Sequence, residues 1–305
     1  MTKQSRRRLA LALATCGLAA LPVTILAANT SPATSMRLAA SAEDTSRQPA
    51  SLAHASAAAA GPVIYGWGNN DNEQATGKFG YVYNPTLVSF PPLQFPSPVV
   101  ALSAGNKHSL ALLADGTVWS WGASDLGQVG HTGPDVRKVQ TFAGFPDLSG
   151  IAGISAGGDA SLVVGKDGQV WAWGNNAFGQ IGIGHNDVTE LAQPVPGATD
   201  VVAVSAGATH SLALKRDGTV LAWGANDTGE LGDGTWTYHY TPTPVPGLTD
   251  VVAIAAGNHY SLALKKDGTV MAWGSNNGCQ LGYGQDRTHW VGVSSSCAQC
   301  VRSWP

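Results

Sequence analysis

From Val99 onward the chain alternates short apolar runs with polar breaks rich in Gly, Asp and Asn, and the apolar residues do not follow the 3.6-residue period of a helix. The runs fall into register. Val99 to Gly105, Ile151 to Gly157, Val201 to Gly207 and Val251 to Gly257 are β-branched or small-residue segments that end at glycine. A second run follows each of them: Ser109 to Leu112, Ser161 to Val164, Ser211 to Leu214 and Ser261 to Leu264. Each then meets an Asp-Gly pair (Asp115-Gly116, Asp167-Gly168, Asp217-Gly218, Asp267-Gly268). Asp-Gly readily supplies the positive φ angles of a tight hairpin, so the segment that follows is predicted to return antiparallel to the second strand. That returning segment ends in Trp-Gly.

The Trp-Gly dipeptide recurs at Trp67, Trp121, Trp173, Trp223 and Trp273, spaced by 54, 52, 50 and 50 residues. Three or four short strands in each such interval predict an all-β chain built as a β-propeller with blades of about 50 residues. After each Trp-Gly lies a Gly-, Asn- and Asp-rich loop containing Gly-Gln/Glu-x-Gly (Gly127 to Gly130, Gly179 to Gly182, Gly229 to Gly232). The later repeats close with Pro194-Val195-Pro196 and Pro242-Thr243-Pro244-Val245-Pro246, which suits an edge strand or a loop.

The segment from Ala206 to Gly224, Ala-Gly-Ala-Thr-His-Ser-Leu-Ala-Leu-Lys-Arg-Asp-Gly-Thr-Val-Leu-Ala-Trp-Gly, resembles the repeat of the regulator-of-chromosome-condensation family, as do the three parallel segments. The resemblance covers roughly Val63 to Gly284 and implies a propeller, usually of seven blades, whose faces bind partners. Its founding member promotes guanine-nucleotide exchange on a small nuclear GTPase, and certain secreted bacterial relatives inhibit β-lactamases.

Residues that return in every blade are explained by what every blade shares, the packing of one sheet on the next. The Trp of each Trp-Gly is expected to fill the space between adjacent sheets. His108 and His210 share one repeat position, which Ala160 and Tyr260 occupy in the other units, and a buried imidazole bonding a neighbouring loop is the expectation there. Gly153-Ile154-Ser155-Ala156-Gly157 matches a hydrolase nucleophile elbow, which needs a strand, a sharp turn and a helix. Ser155, however, aligns with Ser103, Ser205 and Ala255 in a first-strand position that no helix follows. With no spaced carboxylate pair, no zinc-protease motif and no phosphate-cradling loop, the sequence predicts no enzyme, no cofactor and no metal site.

Charged residues make up 12% of the chain, against about 25% in an average globular protein. Four basic residues (Lys3, Arg6, Arg7, Arg8) sit at the extreme N-terminus, leaving 13 basic against 20 acidic residues elsewhere. This sign disfavours a nucleic-acid partner. Residues 1–28, a cationic start followed by the apolar run from Leu9, read as an export signal peptide, and Ser5-Arg6-Arg7-Arg8-Leu9 is similar to a twin-arginine motif. An uncleaved anchor is the alternative, and only it would involve the membrane. Residues 29–62, rich in Ala, Ser, Thr and Pro, form a linker that cannot bury enough surface to order itself. Residues 63–284 carry the propeller repeats, and 285–305 a tail with Cys297 and Cys300. Cys279, Cys297 and Cys300 suit a disulfide in an oxidising compartment, with zinc ligation as the lesser alternative. The expected location is therefore outside the cytoplasm: periplasm, cell surface or medium.

Function is expected in the loops after Trp-Gly, which differ most between repeats. They carry Phe79, Tyr81 and Tyr83 in the first, Trp236, Tyr238, His239 and Tyr240 in the fourth, and His289 and Trp290 in the fifth. Large aromatics anchor protein interfaces and stack on sugars, so an unidentified protein or cell-surface glycan is the expected partner. The competing reading is that these rings pack beneath their own loops. Two regulatory roles also stand, an inhibitor of an extracellular enzyme or, with an export signal against it, a nucleotide exchange factor.

Val63 to the C-terminus holds 243 residues, where seven blades of this spacing need roughly 357. The Trp-Gly strand occurs five times and the two preceding strands four times, leaving an orphan strand at Val63 to Trp67. Four full repeats plus this orphan predict a ring incomplete relative to seven blades: a truncated product, or an arc completed by a second copy or a partner through its open edges. A small closed ring of four or five blades is the alternative.

Overall fold

The computed structural model describes residues 64–68, 71, 82–87, 95–131, 137–139 and 148–282. The expected leader, linker and tail lie outside the described residues. Seventeen strands are described, in the order β1 (Tyr65–Gly68), β2 (Val82–Leu87), β3 (Val99–Ala104), β4 (His108–Leu113), β5 (Val118–Gly122), β6 (Arg137–Lys138), β7 (Ile151–Ala156), β8 (Ala160–Gly165) and β9 (Val170–Gly174). There follow β10 (Thr189–Pro194), β11 (Val201–Ala206), β12 (His210–Lys215), β13 (Val220–Gly224), β14 (His239–Pro244), β15 (Val251–Ala256), β16 (Tyr260–Lys265) and β17 (Val270–Gly274). Three four-stranded antiparallel sheets, β3-β4-β5-β6, β7-β8-β9-β10 and β11-β12-β13-β14, form the first three blades, and β15-β16-β17 the fourth.

Each hairpin turns where Asp-Gly requires it. Gly116, Gly168, Gly218 and Gly268 take φ between 82° and 89°, and the strands on either side pair antiparallel. Pro194 lies on β10 and Pro242 and Pro244 on β14, the last strands of their sheets, where a missing amide costs no ladder bond on the open side, while Pro196 and Pro246 follow those strands. The leading Trp-Gly strand is not alone. β1 pairs antiparallel with β2, as the third strand of a blade pairs with its fourth elsewhere. Tyr83, Pro85 and Thr86 of β2 align with Tyr240, Pro242 and Thr243 of β14, and that shared Tyr-x-Pro-Thr was the available sequence signal for the partner strand.

The sheets succeed one another face to face, β3 and β4 packing on β7, β7 and β8 on β11, and β11 and β12 on β15. The core is accordingly divided among the boundaries between blades. At the second boundary Leu162, Val164, Val170 and Ala172 of one sheet meet Val201, Val204, Ala213 and Trp223 of the next. Trp121, Trp173, Trp223 and Trp273 are all buried, as their recurrence predicts.

A polar lattice runs through these cores. The indole nitrogen of Trp173 donates to the carbonyl of Gln128 at 2.9 Å, Trp223 to that of Gln180 at 2.9 Å and Trp273 to that of Glu230 at 2.8 Å. The same three carbonyls accept from the hydroxyls of Ser161, Ser211 and Ser261. On the first strands, Ser103, Ser155 and Ser205 accept from the amides of Ala156, Ala206 and Ala256, each one blade further on. Ser155 is thus a joint between blades, and the Gly-x-Ser-x-Gly match is a strand. The glycine of Trp-Gly serves the same close packing. At Gly224, with φ of 107°, a Cβ would lie 2.6 Å from the carbonyl oxygen of Thr209.

The two ends of the series differ from its middle. Leu102 on β3 is 53% exposed, whereas Ile154, Val204 and Ile254 at the same position are buried against a preceding blade. Leu264 on β16 is 38% exposed, whereas Leu112, Val164 and Leu214 are buried beneath a following one. Among the described residues, then, the first blade lacks a complete neighbour before it and the fourth lacks one after it. Ile64 does pack with Phe95, Val99 and Trp119 around Trp121, which is what the third strand of a preceding blade contributes elsewhere.

Candidate partner-binding face

In every blade the loop joining the first and second strands lies at the same end as the loop after Trp-Gly. Backbone bonds tie them together: the amides of Ala123, Asn175, Ala225 and Ser275 donate to the carbonyls of Lys107, Asp159, Thr209 and His259. This end carries the expected partner-binding residues that fall among the described residues. Tyr81, His289 and Trp290 lie outside them, as does Phe79. Tyr83 is on β2, which fixes its backbone position alone.

The loop of the third blade, between β13 and β14, is built on Asn226. Its side-chain amide donates to Asp233 Oδ1 at 3.1 Å and to the carbonyl of Thr235 at 2.9 Å, and its oxygen accepts from the amide of Leu231 at 3.0 Å. Asp233 also accepts from the amide and hydroxyl of Thr235 and faces Nε2 of His239 at 2.6 Å. Burial raises the Asp233 carboxyl, but Thr235, His239 and Asn226 outweigh it and hold the group below the usual carboxylate range. The aromatic residues divide by role on this frame. Tyr238 donates to Asp227 Oδ2 at 2.5 Å, a bond that with partial burial pushes its phenol up to about 12. Its ring meets Phe178 of the preceding blade edge to face, centroids 6.0 Å apart. His239 is occupied with Asp233. Trp236 is 52% exposed at the tip of the loop, and Tyr240 is 39% exposed where β14 begins.

Two boundary contacts fix where Tyr240 stands. The amide of Gly184 donates to its carbonyl at 2.8 Å. The ring lies so close to Gly179 of the second blade that a Cβ there would be 2.2 Å from Tyr240 Cδ1. Sequence reading thus found the exposed pair Trp236 and Tyr240 together with two neighbours that support them. It missed Phe178, Asp227, Asp233 and the exposed Val188. Phe178 stands in the equivalent loop of the preceding repeat, and that register was the available signal.

The carboxylates of Asp227, Glu230 and Asp233 accept from donors inside the loops, and among the described residues no three His, Cys, Asp or Glu side chains gather to hold a metal ion. The Ser-His pairs of the chain are joints between blades. His108 meets Ser161 and His210 meets Ser261, each at 2.8 Å, in buried positions, and both serine hydroxyls are committed to backbone carbonyls. Burial takes both imidazoles down to about 4, so they are neutral at physiological pH. Cys279 is free and exposed, while Cys297 and Cys300, on which the disulfide and zinc expectations depend, lie outside the described residues.

Comparison with known proteins agrees with this architecture. The chain is 34% identical over 142 residues to the human E3 ubiquitin-protein ligase HERC2, a match spanning 44% of this chain and 3% of that protein. It is 34% identical over 102 residues to the ultraviolet-B receptor UVR8 of Arabidopsis thaliana, spanning 33% of this chain and 23% of the receptor. Among solved structures, human WBSCR16 superimposes with a TM-score of 0.62 at 28% identity, over 69% of this chain and 56% of that one. Yeast RCC1 (Prp20), bound to Kap60, superimposes with a TM-score of 0.65 at 24% identity, over 78% of this chain and 58% of that one, a likeness of fold. The chain therefore spans less than two thirds of each of these relatives. The model of the RCC1-like domain matches residues 26–300, and the chain belongs to the RCC1-like domain family.

Proposed function

We propose that the protein is an exported, non-catalytic interaction module that holds a protein partner, or a cell-surface glycan, against the loops that follow Trp-Gly. The observation that carries this reading is Trp236, exposed at the tip of a loop whose base is locked by Asn226, Asp233 and His239. A large ring held ready on a rigid frame loses little freedom on binding. Export rests on the cationic and apolar start of the chain. Yeast RCC1 is described bound to Kap60, and Prp20p with binding properties toward Gsp1p and histones. A protein partner is the natural extension of those cases, and inhibition of an extracellular enzyme would be one form of it. Nucleotide exchange fits an exported chain poorly. The test is capture from the exported fraction of the native host with wild-type and Trp236→Ala, Tyr240→Ala baits. A partner retained by the first and lost by the second, at unchanged melting temperature, supports the reading. Equal capture by both rejects it.

Self-association through the uncovered blade faces is the second reading, favoured by the exposure of Leu102 and Leu264. Such a contact could not repeat two of the joints found inside the chain, the serine–amide and histidine–serine bonds. Ala255 stands where Ser103, Ser155 and Ser205 bond the next blade, and Tyr260 where His108 and His210 do. Light scattering of the isolated exported chain decides it: a monomer at all concentrations removes this reading.

A further inference from the structure

Charge in the second and third blades is sorted by end. Between residues 151 and 250 the only Lys and Arg are Lys166, Lys215 and Arg216, all at the hairpin turns that close β8 and β12. Asp167 and Asp217 share those turns, so that end is mixed in sign. The opposite end carries Asp159, Asp187, Glu190, Asp227, Glu230 and Asp233 and no Lys or Arg. Three of these, Asp187, Glu190 and Asp227, are exposed. The bases beside these carboxylates are His185, 3.2 Å from Asp187, His239, 2.6 Å from Asp233, His259 of the fourth blade, 3.2 Å from Glu230, and Lys107 of the first blade, whose charge acts on Asp159.

The exposed apolar groups stand at this acidic end. Trp236, Tyr240 and Val188 are exposed on the two adjoining loops of the second and third blades, which the Gly184 to Tyr240 bond and the Phe178 to Tyr238 contact join into one surface. The faces of Trp and Tyr rings attract cations, Arg above all, and the exposed carboxylates of Asp187, Glu190 and Asp227 nearby strengthen that attraction. An anionic polymer or an anionic membrane surface would be repelled by the same groups. We propose that this surface binds a protein segment bearing arginine or lysine side chains, laid across the boundary of the second and third blades with a cationic group against Trp236 or Tyr240. The proposal rests on the interaction reading above and adds the chemistry of the partner to it.

The experiment uses the exported full chain and fluorescein-labelled peptides of about nine residues, one alternating Gly and Arg and one alternating Gly and Glu, read by fluorescence anisotropy. A neutral chito-oligosaccharide is titrated in parallel by calorimetry. The Arg peptide is expected to bind and the Glu peptide not to. Raising salt from about 50 to about 300 mM should weaken binding by about tenfold, as screening shortens the reach of exposed charges. Trp236→Ala and Tyr240→Ala should each weaken it by about ten- to thirtyfold. Asp187→Asn with Glu190→Gln should weaken it by about three- to tenfold and flatten the salt dependence, with the melting temperature unchanged. Equal binding of the two peptides, no response to any of these substitutions, or saturable binding of the oligosaccharide alone overturns the proposal. The outcomes separate from those of the parent reading. If Trp236→Ala abolishes capture of the native partner while the Arg peptide does not bind, the loops are the binding site and the cationic partner is wrong. If the capture survives that substitution, the loop reading itself is wrong.

Discussion

His210 Nε2 and Ser261 Oγ meet at 2.8 Å across the boundary between the third and fourth blades, with both residues buried. The serine hydroxyl has one proton, and it is donated to the carbonyl of Glu230 at 2.8 Å. His210 must therefore donate from Nε2 and leave Nδ1 bare, and among the described residues that nitrogen has no hydrogen-bond partner. His108 and Ser161 repeat the arrangement two blades earlier, at the boundary between the first and second. Neutral imidazole is thus built into two of the three described boundaries between complete blades.

This predicts a pH dependence of stability. With folded values near 4 against an ordinary 6.5, the unfolded chain binds more protons than the folded one between those limits. The contribution is complete above about pH 6.5 and is lost as pH falls toward about 4, by up to roughly 3 kcal/mol per ring. Replacing both by glutamine, whose side-chain amide can still donate to the serine, should flatten the stability curve in this window. Thermal melts between about pH 7 and pH 4.5 check it, and an unchanged slope would show that other groups set the acid response.

Trp223→Ala should destabilise the fold by roughly 3–5 kcal/mol, since it empties a buried site and leaves the Gln180 carbonyl without its indole donor. Trp236→Ala should change stability by no more than about 0.5 kcal/mol, the range of exposed substitutions. Chemical denaturation of the two variants measures the difference, and similar losses would make Trp236 a structural residue.

Ser155→Ala removes the acceptor of the Ala206 amide, a 3.0 Å bond between the second and third blades. A loss of about 1–3 kcal/mol is expected from the unpaired amide. Hydrogen exchange at Ala206 gives a local reading of the same event, and unaltered protection there would mean that the amide finds another partner.

Cys279→Gly should stabilise the chain by about 0.5–1 kcal/mol. Cys279 occupies the position of Gly127, Gly179 and Gly229 and holds φ at 59° against 72°, 80° and 73° for those glycines. A Cβ at this position would meet the next blade at Gly127, 2.7 Å from Glu190 Cα, and at Gly179, 2.2 Å from Tyr240 Cδ1, but at Gly229 only the ring of Trp236 in its own loop, at 3.7 Å. A cysteine is tolerated where no such neighbour lies among the described residues. A lowered melting temperature for Cys279→Gly would show that the thiol makes a stabilising contact.

The sequence by itself determined everything that repeats locally: the paired runs such as Val201 to Gly207 and Ser211 to Leu214, the Asp-Gly turns between strands, and the burial of Trp173, Trp223 and Trp273. These follow from side-chain alternation, turn chemistry and register within a single repeat, which short-range pattern records. The tertiary structure decided what depends on the next sheet. Leu102 and Ile154 have the same local pattern, yet only Ile154 is covered, because burial of a blade face is a property of its neighbour. Trp236 and Tyr238 stand two residues apart in one loop, yet Tyr238 is held by a hydrogen bond to Asp227 and a ring contact with Phe178, while Trp236 is 52% exposed. The strand 82–87 repeats the Tyr-x-Pro-Thr of β14, but its pairing with β1 is what makes it the fourth strand of a blade. Charge was visible in the sequence only as a total. Its sorting to opposite ends of the blades follows from antiparallel strands, which send consecutive loops to alternate faces.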